Sequence, residues 1–249
     1  MMRDPYRRIA INEGHSSKYD QEYDSVRKQI SQRNPNNSWS LLVNKINPQS
    51  RVLEFGSSSG YLTRYLKEEL GCEVFIVEID SESAERAVLY AQEDYVGDIE
   101  SFEWAEKWAG EKFDVILFAD VLEHLRDPWS TLSVAKDFLK PGGQVFASVP
   151  NIAHNSILIE LWKNRFTYRS VGLLDSTHIR FFSKQSVAEL FESAGLSICS
   201  RNYTRVAPEH TEFNNSLREL PWIVRAAFAV RPLSDVYQFI VEAKLPLEG

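Results

Sequence analysis

The chain has 249 residues, 43% of them hydrophobic, and a formal net charge of −7. That length fits one α/β domain with appendages, and an acidic chain without a basic block argues against a nucleic-acid partner. Cys72 and Cys199 are the two cysteines, which suits a reducing compartment and rules out a cysteine zinc cluster. No apolar run is long enough to span a bilayer and the polar start does not read as a signal peptide, so a cytoplasmic location is expected.

Residues 1–37 are polar and contain tyrosines, and Pro35-Asn36-Asn37 breaks the chain. They read as an N-terminal arm or cap able to close over a ligand, with the main domain spanning 38–249. Within it, Val52-Leu53-Glu54-Phe55-Gly56-Ser57-Ser58-Ser59-Gly60 is the most informative stretch. An apolar run ends in an acid, small residues follow, and a helix-like segment begins at Tyr61. Such a strand–turn–helix can bring backbone close to a ligand, and Gly56 and Gly60 lack the Cβ that would obstruct it. The pattern is E-x-G-x-x-x-G and not the G-x-G-x-x-G of dinucleotide loops. Glu54 would repel a pyrophosphate and attract a cationic amino-acid end, as in S-adenosylmethionine. The alternative is an ordinary strand–turn joint with a solvated acid, and the loop alone does not separate the two.

Val74 to Val77 read as a strand buried on both faces. It ends in Glu78, placed to accept from ribose hydroxyls, while Asp80 and Ser81 serve better as the next helix cap. Asp98, in Gly97-Asp98-Ile99, can accept from an adenine amino group while Ile99 packs on the ring. A polar turn is the competing reading. Phe113 to Ala119 form a further buried strand running into Asp120-Val121-Leu122-Glu123-His124. A helix follows from Trp129 to Leu139, stopped by Lys140-Pro141-Gly142-Gly143. Gln144 to Val149 are the next strand, Ser183 to Ala194 a capped helix, residues 217 to 230 another helix, and Val236 to Ala243 the last strand.

Taken in order, the loop 53–61, Glu78, Gly97-Asp98-Ile99, residues 113–125 and residues 139–143 resemble a class I S-adenosylmethionine-dependent methyltransferase. The resemblance covers roughly residues 38 to 150, with Ser58 where the family's loop has its middle glycine. It implies an α/β, doubly wound, mostly parallel seven-stranded Rossmann-like sheet with the last strand antiparallel. It implies that Glu54, Gly56, Ser57, Ser58 and Gly60 meet the methionine end of the cofactor and that Glu78 holds the ribose. Ile79, Asp98 and Ile99 would bind adenine, and Ala119 and Asp120 would line the methionine moiety.

Residues 148–195 are similar to a subgroup that accompanies glycosyltransferases in bacterial surface-glycan pathways. On that resemblance the expected reaction is O-methylation of a sugar or glycan precursor. The alternatives are methylation of another small metabolite, such as a quinone or natural product, or a non-catalytic cofactor-binding module. Residues 151–182 would be an acceptor-site insertion and 208–234 a helical insertion forming a lid or a contact between copies in a homo-oligomer. A hydroxyl acceptor benefits from a general base, and histidine titrates near neutrality. His178 ranks first because Asp175 could orient it, then His154, then His124. The alternative is that Asp175, His178 and Arg180 only pin a loop. No metal is demanded by the sequence.

Overall fold

A computed structural model describes residues 18–246. Nine α-helices and seven strands are found among them, and the strands form one sheet in the order β3-β2-β1-β4-β5-β7-β6. Strands β1 (Arg51–Phe55), β2 (Glu73–Glu78), β3 (Glu93–Val96), β4 (Phe113–Ala119) and β5 (Leu139–Pro150) pair in parallel. Strand β7 (Val236–Lys244) enters antiparallel between β5 and β6 (Ser197–Arg205), as the resemblance implied.

The sheet is buried on both faces because its central strands carry apolar residues at successive positions. In β1, Leu53 and Phe55 join one core layer with Phe75, Trp104 and Phe118, while Val52 faces the other with Val74, Ile76 and Leu117. Helices α1 (Lys18–Ser31), α2 (Ser38–Val43) and α3 (Tyr61–Glu68) belong to the second layer through Tyr23, Ile30, Leu42, Leu62 and Leu66. Helix α4 (Ser81–Ala87) follows β2 and α5 (Glu103–Lys107) precedes β4. No helix among the described residues is long and apolar enough to cross a membrane.

The proposed N-terminal arm falls partly outside the described residues. Its described part is a docked helix and not a loose strap. The Arg64 guanidinium of α3 lies 4.0 Å from the Tyr23 ring centroid and pairs with Asp20 at 2.7 Å, while Tyr19 stacks on Tyr61 at 4.9 Å. Cation–π stacking over a desolvated aromatic contributes on the order of 1–2 kcal/mol, so α1 is held as part of the domain.

Several boundaries differ from the sequence expectation. The helix expected over 129–139 is α6 (Pro128–Ala135) with a 3-10 turn at 136–138. The helix expected over 217–230 is broken at Pro221, which has no N–H and holds Leu220 extended, leaving a short turn and α9 (Trp222–Ala229). Strand β6 carries mostly polar residues on an edge, and it was not expected from its sequence. The remaining helices are α7 (Asn155–Trp162) and α8 (Lys184–Ser193), the latter capped by Ser183 and Ser186 reciprocally.

Candidate active site

Strand order reverses between β1 and β4, which leaves a crevice beyond their carboxyl ends. A cavity of about 650 Å³ occupies it. All the residues predicted for cofactor binding except Gly60 line it: Glu54, Gly56, Ser57, Ser58, Glu78, Ile79, Asp98, Ile99, Ala119 and Asp120. Gly60 stands just behind as the left-handed N-cap of α3, with φ +77°. Its own need for glycine is packing. A Cβ there would sit 2.5 Å from the Ala87 Cα, and one on Gly56 (φ +69°) would sit 2.6 Å from Val121 Cγ2. The glycines therefore serve close packing of the loop on α4 and the 121 turn, and not only approach to a ligand. Ser58 adopts φ +48°, the left-handed conformation a glycine would take at no cost.

Two acids hold the loop. Glu54 is buried and accepts from the Thr63 hydroxyl at 2.8 Å. Burial pushes its carboxyl up to about 7, with Thr63 opposing and Glu78 adding to the rise. A cation placed beside Glu54 would favour the ionised form. Glu78 accepts the Ser58 N–H at 2.7 Å on one oxygen and the Asp80 N–H at 3.0 Å on the other, so it ties the first loop to the end of β2. Asp98 caps the following turn through the Glu100 N–H at 2.8 Å and pairs with Arg126 at 2.7 Å. Glu100 also accepts from Arg126 and from the Asp127 N–H, which fastens the 126–127 loop at the cavity edge. The lining includes Trp39, Tyr61, Glu100, Arg126 and Ile179, which sequence reasoning did not single out, because helix docking and loop return bring them there.

Asp120 is held at φ +57°, receiving Gln238 Nε2 at 2.7 Å, with its own N–H donated to Ser148 Oγ at 3.0 Å. Burial raises its carboxyl above the ordinary value. The strained backbone aims it from the end of β4 into the cavity.

The histidines separate clearly. His124 lines the cavity. His178 is buried behind it, with ring centroids 4.8 Å apart and edge-on. His154 is not in the cavity lining. Its Nδ1 caps α7 through the Ser156 N–H at 3.1 Å and its Nε2 meets the Val206 carbonyl at 2.8 Å. Burial pushes its imidazole down, so both ring nitrogens serve packing of α7.

The Asp175–His178 pair expected from sequence does not form. Asp175 Oδ1 accepts from both the Thr177 N–H and hydroxyl; burial opposes ionisation, yet these bonds hold its carboxyl below the usual range. The acid that faces His178 is Glu123, at 3.9 Å from Nε2. Glu123 is only 1% exposed. Burial, with Asp120 nearby, pushes its carboxyl well up. The Glu123 carbonyl accepts from both Ile179 and Arg180 N–H at 3.0 Å, so the 178–180 segment is stitched to the turn after β4. Glu123 was visible in the sequence as an acid inside the apolar run Val121 to Leu125, but its partner was not.

A methyltransferase domain family model matches residues 17–201, and the chain belongs to that family. It is an S-adenosylmethionine-dependent methyltransferase. A ubiquinone biosynthesis O-methyltransferase of Cereibacter sphaeroides (strain KD131 / KCTC 12085) is 28% identical over 174 residues, covering 68% of this chain and 69% of the relative. Among solved structures, an S-adenosylmethionine-dependent methyltransferase from Archaeoglobus fulgidus has a TM-score of 0.58 at 15% identity, covering 89% of this chain and 94% of that one. Magnesium protoporphyrin IX methyltransferase from Synechocystis PCC 6803, solved with S-adenosylhomocysteine, has a TM-score of 0.56 at 14% identity, covering 94% and 90%.

Proposed function

We propose that this enzyme O-methylates a small aromatic acceptor of the phenol or hydroquinone class. The carrying observation is what remains of the cavity lining once the cofactor takes its share. Glu54 would hold the cationic methionine end with the 56–60 loop, Glu78 the ribose hydroxyls, and Asp98 with Ile99 the adenine. Trp39, Tyr61, Leu62, Val121, Leu125 and Ile179 then remain with His124 and Ser59, while Glu100 and Arg126 at the edge are engaged with each other, so the free surface is mostly apolar and aromatic and suited to a flat ring. A sugar would call for more unpaired polar groups than this set offers. The Cereibacter relative acts in ubiquinone biosynthesis by its name, which agrees with an aromatic acceptor. The name of that relative lends no support to the glycan acceptor implied by residues 148–195.

The reaction is an in-line displacement. The acceptor oxygen attacks the sulfonium methyl, the new O–C bond forms as the S–C bond breaks, and the sulfonium becomes a neutral thioether. The hydroxyl proton leaves toward the Glu123–His124–His178 corner, where His124 faces the cavity. Positioning of oxygen, methyl and sulfur supplies most of the rate, and proton removal contributes roughly 10²- to 10⁴-fold.

The test is an acceptor screen of catechols and hydroquinones against nucleotide sugars, with labelled S-adenosylmethionine. Methylation of the aromatic set alone supports the reading. Transfer confined to the sugars overturns it.

A further inference from the structure

The turn after β4 and the returning 177–180 segment bring Glu123, His124 and His178 together, with one donor atom from each within 4.8 Å of the others. Three features set this cluster apart from a chance gathering of polar groups. First, neither carboxylate oxygen of Glu123 has a hydrogen-bond partner among the described residues, although the side chain is almost wholly buried. A buried acid with no partner is costly unless something completes it.

Second, both imidazoles are oriented through Nδ1. That of His124 lies 3.2 Å from the Thr177 carbonyl, and that of His178 lies 3.4 Å from the Leu173 carbonyl. A carbonyl accepts, so each Nδ1 carries the proton and each Nε2 is left with its lone pair. Ligating histidines are characteristically fixed in this way, the far nitrogen donating to a carbonyl or carboxylate. Third, His178 Nε2 faces Glu123 Oε1 at 3.9 Å, close to the roughly 3.4 Å that separates two donors on a tetrahedral ion with ~2.1 Å bonds. Small side-chain rotations close the difference.

We propose that Glu123, His124 and His178 bind one divalent first-row transition cation at the edge of the methyl-transfer cavity. Two imidazoles and one carboxylate suit Zn²⁺, Mn²⁺, Co²⁺ or Fe²⁺, whereas Mg²⁺ and Ca²⁺ prefer all-oxygen sets. Three protein donors leave coordination positions open, and His124 lines the cavity, so the open side faces the acceptor. A cation there would lower the pKa of an acceptor hydroxyl as a Lewis acid, and a pair of adjacent hydroxyls on one ring would fit its free positions.

The experiment uses the untagged full-length protein without cofactor or acceptor, so its failure would leave the methyltransferase reading intact. Calorimetric titration with ZnCl₂ should give one site per chain, and Co²⁺ should give visible absorption bands distinct from those of the aqueous ion. Mg²⁺ should bind far more weakly. Glu123→Gln and His178→Asn should each weaken Zn²⁺ binding by on the order of 1000-fold, beyond the roughly 10- to 100-fold that outer-shell changes cost. His210→Asn, on an exposed turn elsewhere, should leave it unchanged. His124 is exposed, so His124→Asn tests the site even where the buried variants fail to fold. Absence of saturable one-to-one binding, or full affinity in Glu123→Gln or His124→Asn, overturns the proposal.

Discussion

The loops after β1, β2 and β3 and the segment 151–182 reach one cavity by different physical routes. The first are short, and each hangs from the carboxyl end of a parallel strand. Their positions follow from the sheet, and their functional side chains lie within a few residues of a strand end. The second is long and irregular. It is held by scattered contacts: the Glu123 carbonyl on the 179–180 amides, Arg180 on the Arg126 carbonyl, and a small apolar cluster of Ile157, Leu173 and Leu174. Strand ends prescribe where a side chain goes, and long loops do not. The residues proposed for the cofactor therefore sit on the rigid half, and the segment proposed as the acceptor-site insertion on the half that can vary without disturbing the sheet.

The sharpest division between the halves comes from His124→Ala. Turnover should fall by roughly 100-fold or more, with affinity for S-adenosylhomocysteine within about twofold of wild type. A parallel loss of cofactor affinity would merge the two halves into one site.

Glu78→Ala should act the opposite way. It removes a charged acceptor and frees the Ser58 and Asp80 amides, so cofactor affinity should drop by about 30- to 100-fold, from roughly 2–2.7 kcal/mol of charge-assisted hydrogen bonding. Calorimetry with S-adenosylhomocysteine reads it, and unchanged affinity would remove Glu78 from the ribose.

His154→Ala should cost about 2 kcal/mol of stability by loss of the α7 cap and the Val206 carbonyl bond. Turnover per folded molecule should hold. Thermal or denaturant melts together with active-site-normalised rates decide it, and a stable but inactive variant would return His154 to the chemistry.

Glu54 gives a pH signature. Its ordinary value of 4.5 applies to the unfolded chain, and the fold raises it to about 7. The folded protein holds that proton more tightly, so this contribution to stability is fully present below about 4.5. It is lost as pH rises through about 7. The cofactor's cationic end needs the ionised form, so cofactor affinity should rise with pH up to about 7, by as much as tenfold per unit below it. Calorimetry in buffers of different ionisation enthalpy should show proton release on binding. A flat profile, retained in Glu54→Gln, would detach Glu54 from the methionine end.

The smallest effect is expected at Ser58. Glycine would relieve the left-handed backbone, worth about 1–2 kcal/mol, and would give back about 0.5–1 kcal/mol in chain entropy. Ser58→Gly should therefore shift stability upward by no more than about 1.5 kcal/mol. A clear loss in denaturant titration would mean that the serine hydroxyl contributes more than the strain costs.

Legibility followed the same division. Glu54 and Glu78 could be read because each lies at the end of an apolar strand, and Asp98 because it falls in order after them, although its strand β3 is polar. Strand β6 was hidden because an edge strand with polar residues carries little of the apolar signal that marks buried ones. The Asp175–His178 pairing was misjudged because nearness in sequence suggested it, while the fold gave Asp175 to Thr177 and brought Glu123 to His178 from 55 residues away along the chain.

The sequence by itself determined the buried strands β1, β2, β4 and β5 and the acids at the ends of β1 and β2, and the order of its motifs carried the resemblance to the methyltransferase class. The strands rest on local periodicity, and the motifs on residues adjacent in the chain. Tertiary structure alone decided that His124 faces the cavity while His154 caps a helix, that Arg126 reaches Asp98, and that Glu123 meets two histidines. Those outcomes depend on how distant segments pack, and burial and orientation are properties of the packed chain that no local pattern encodes.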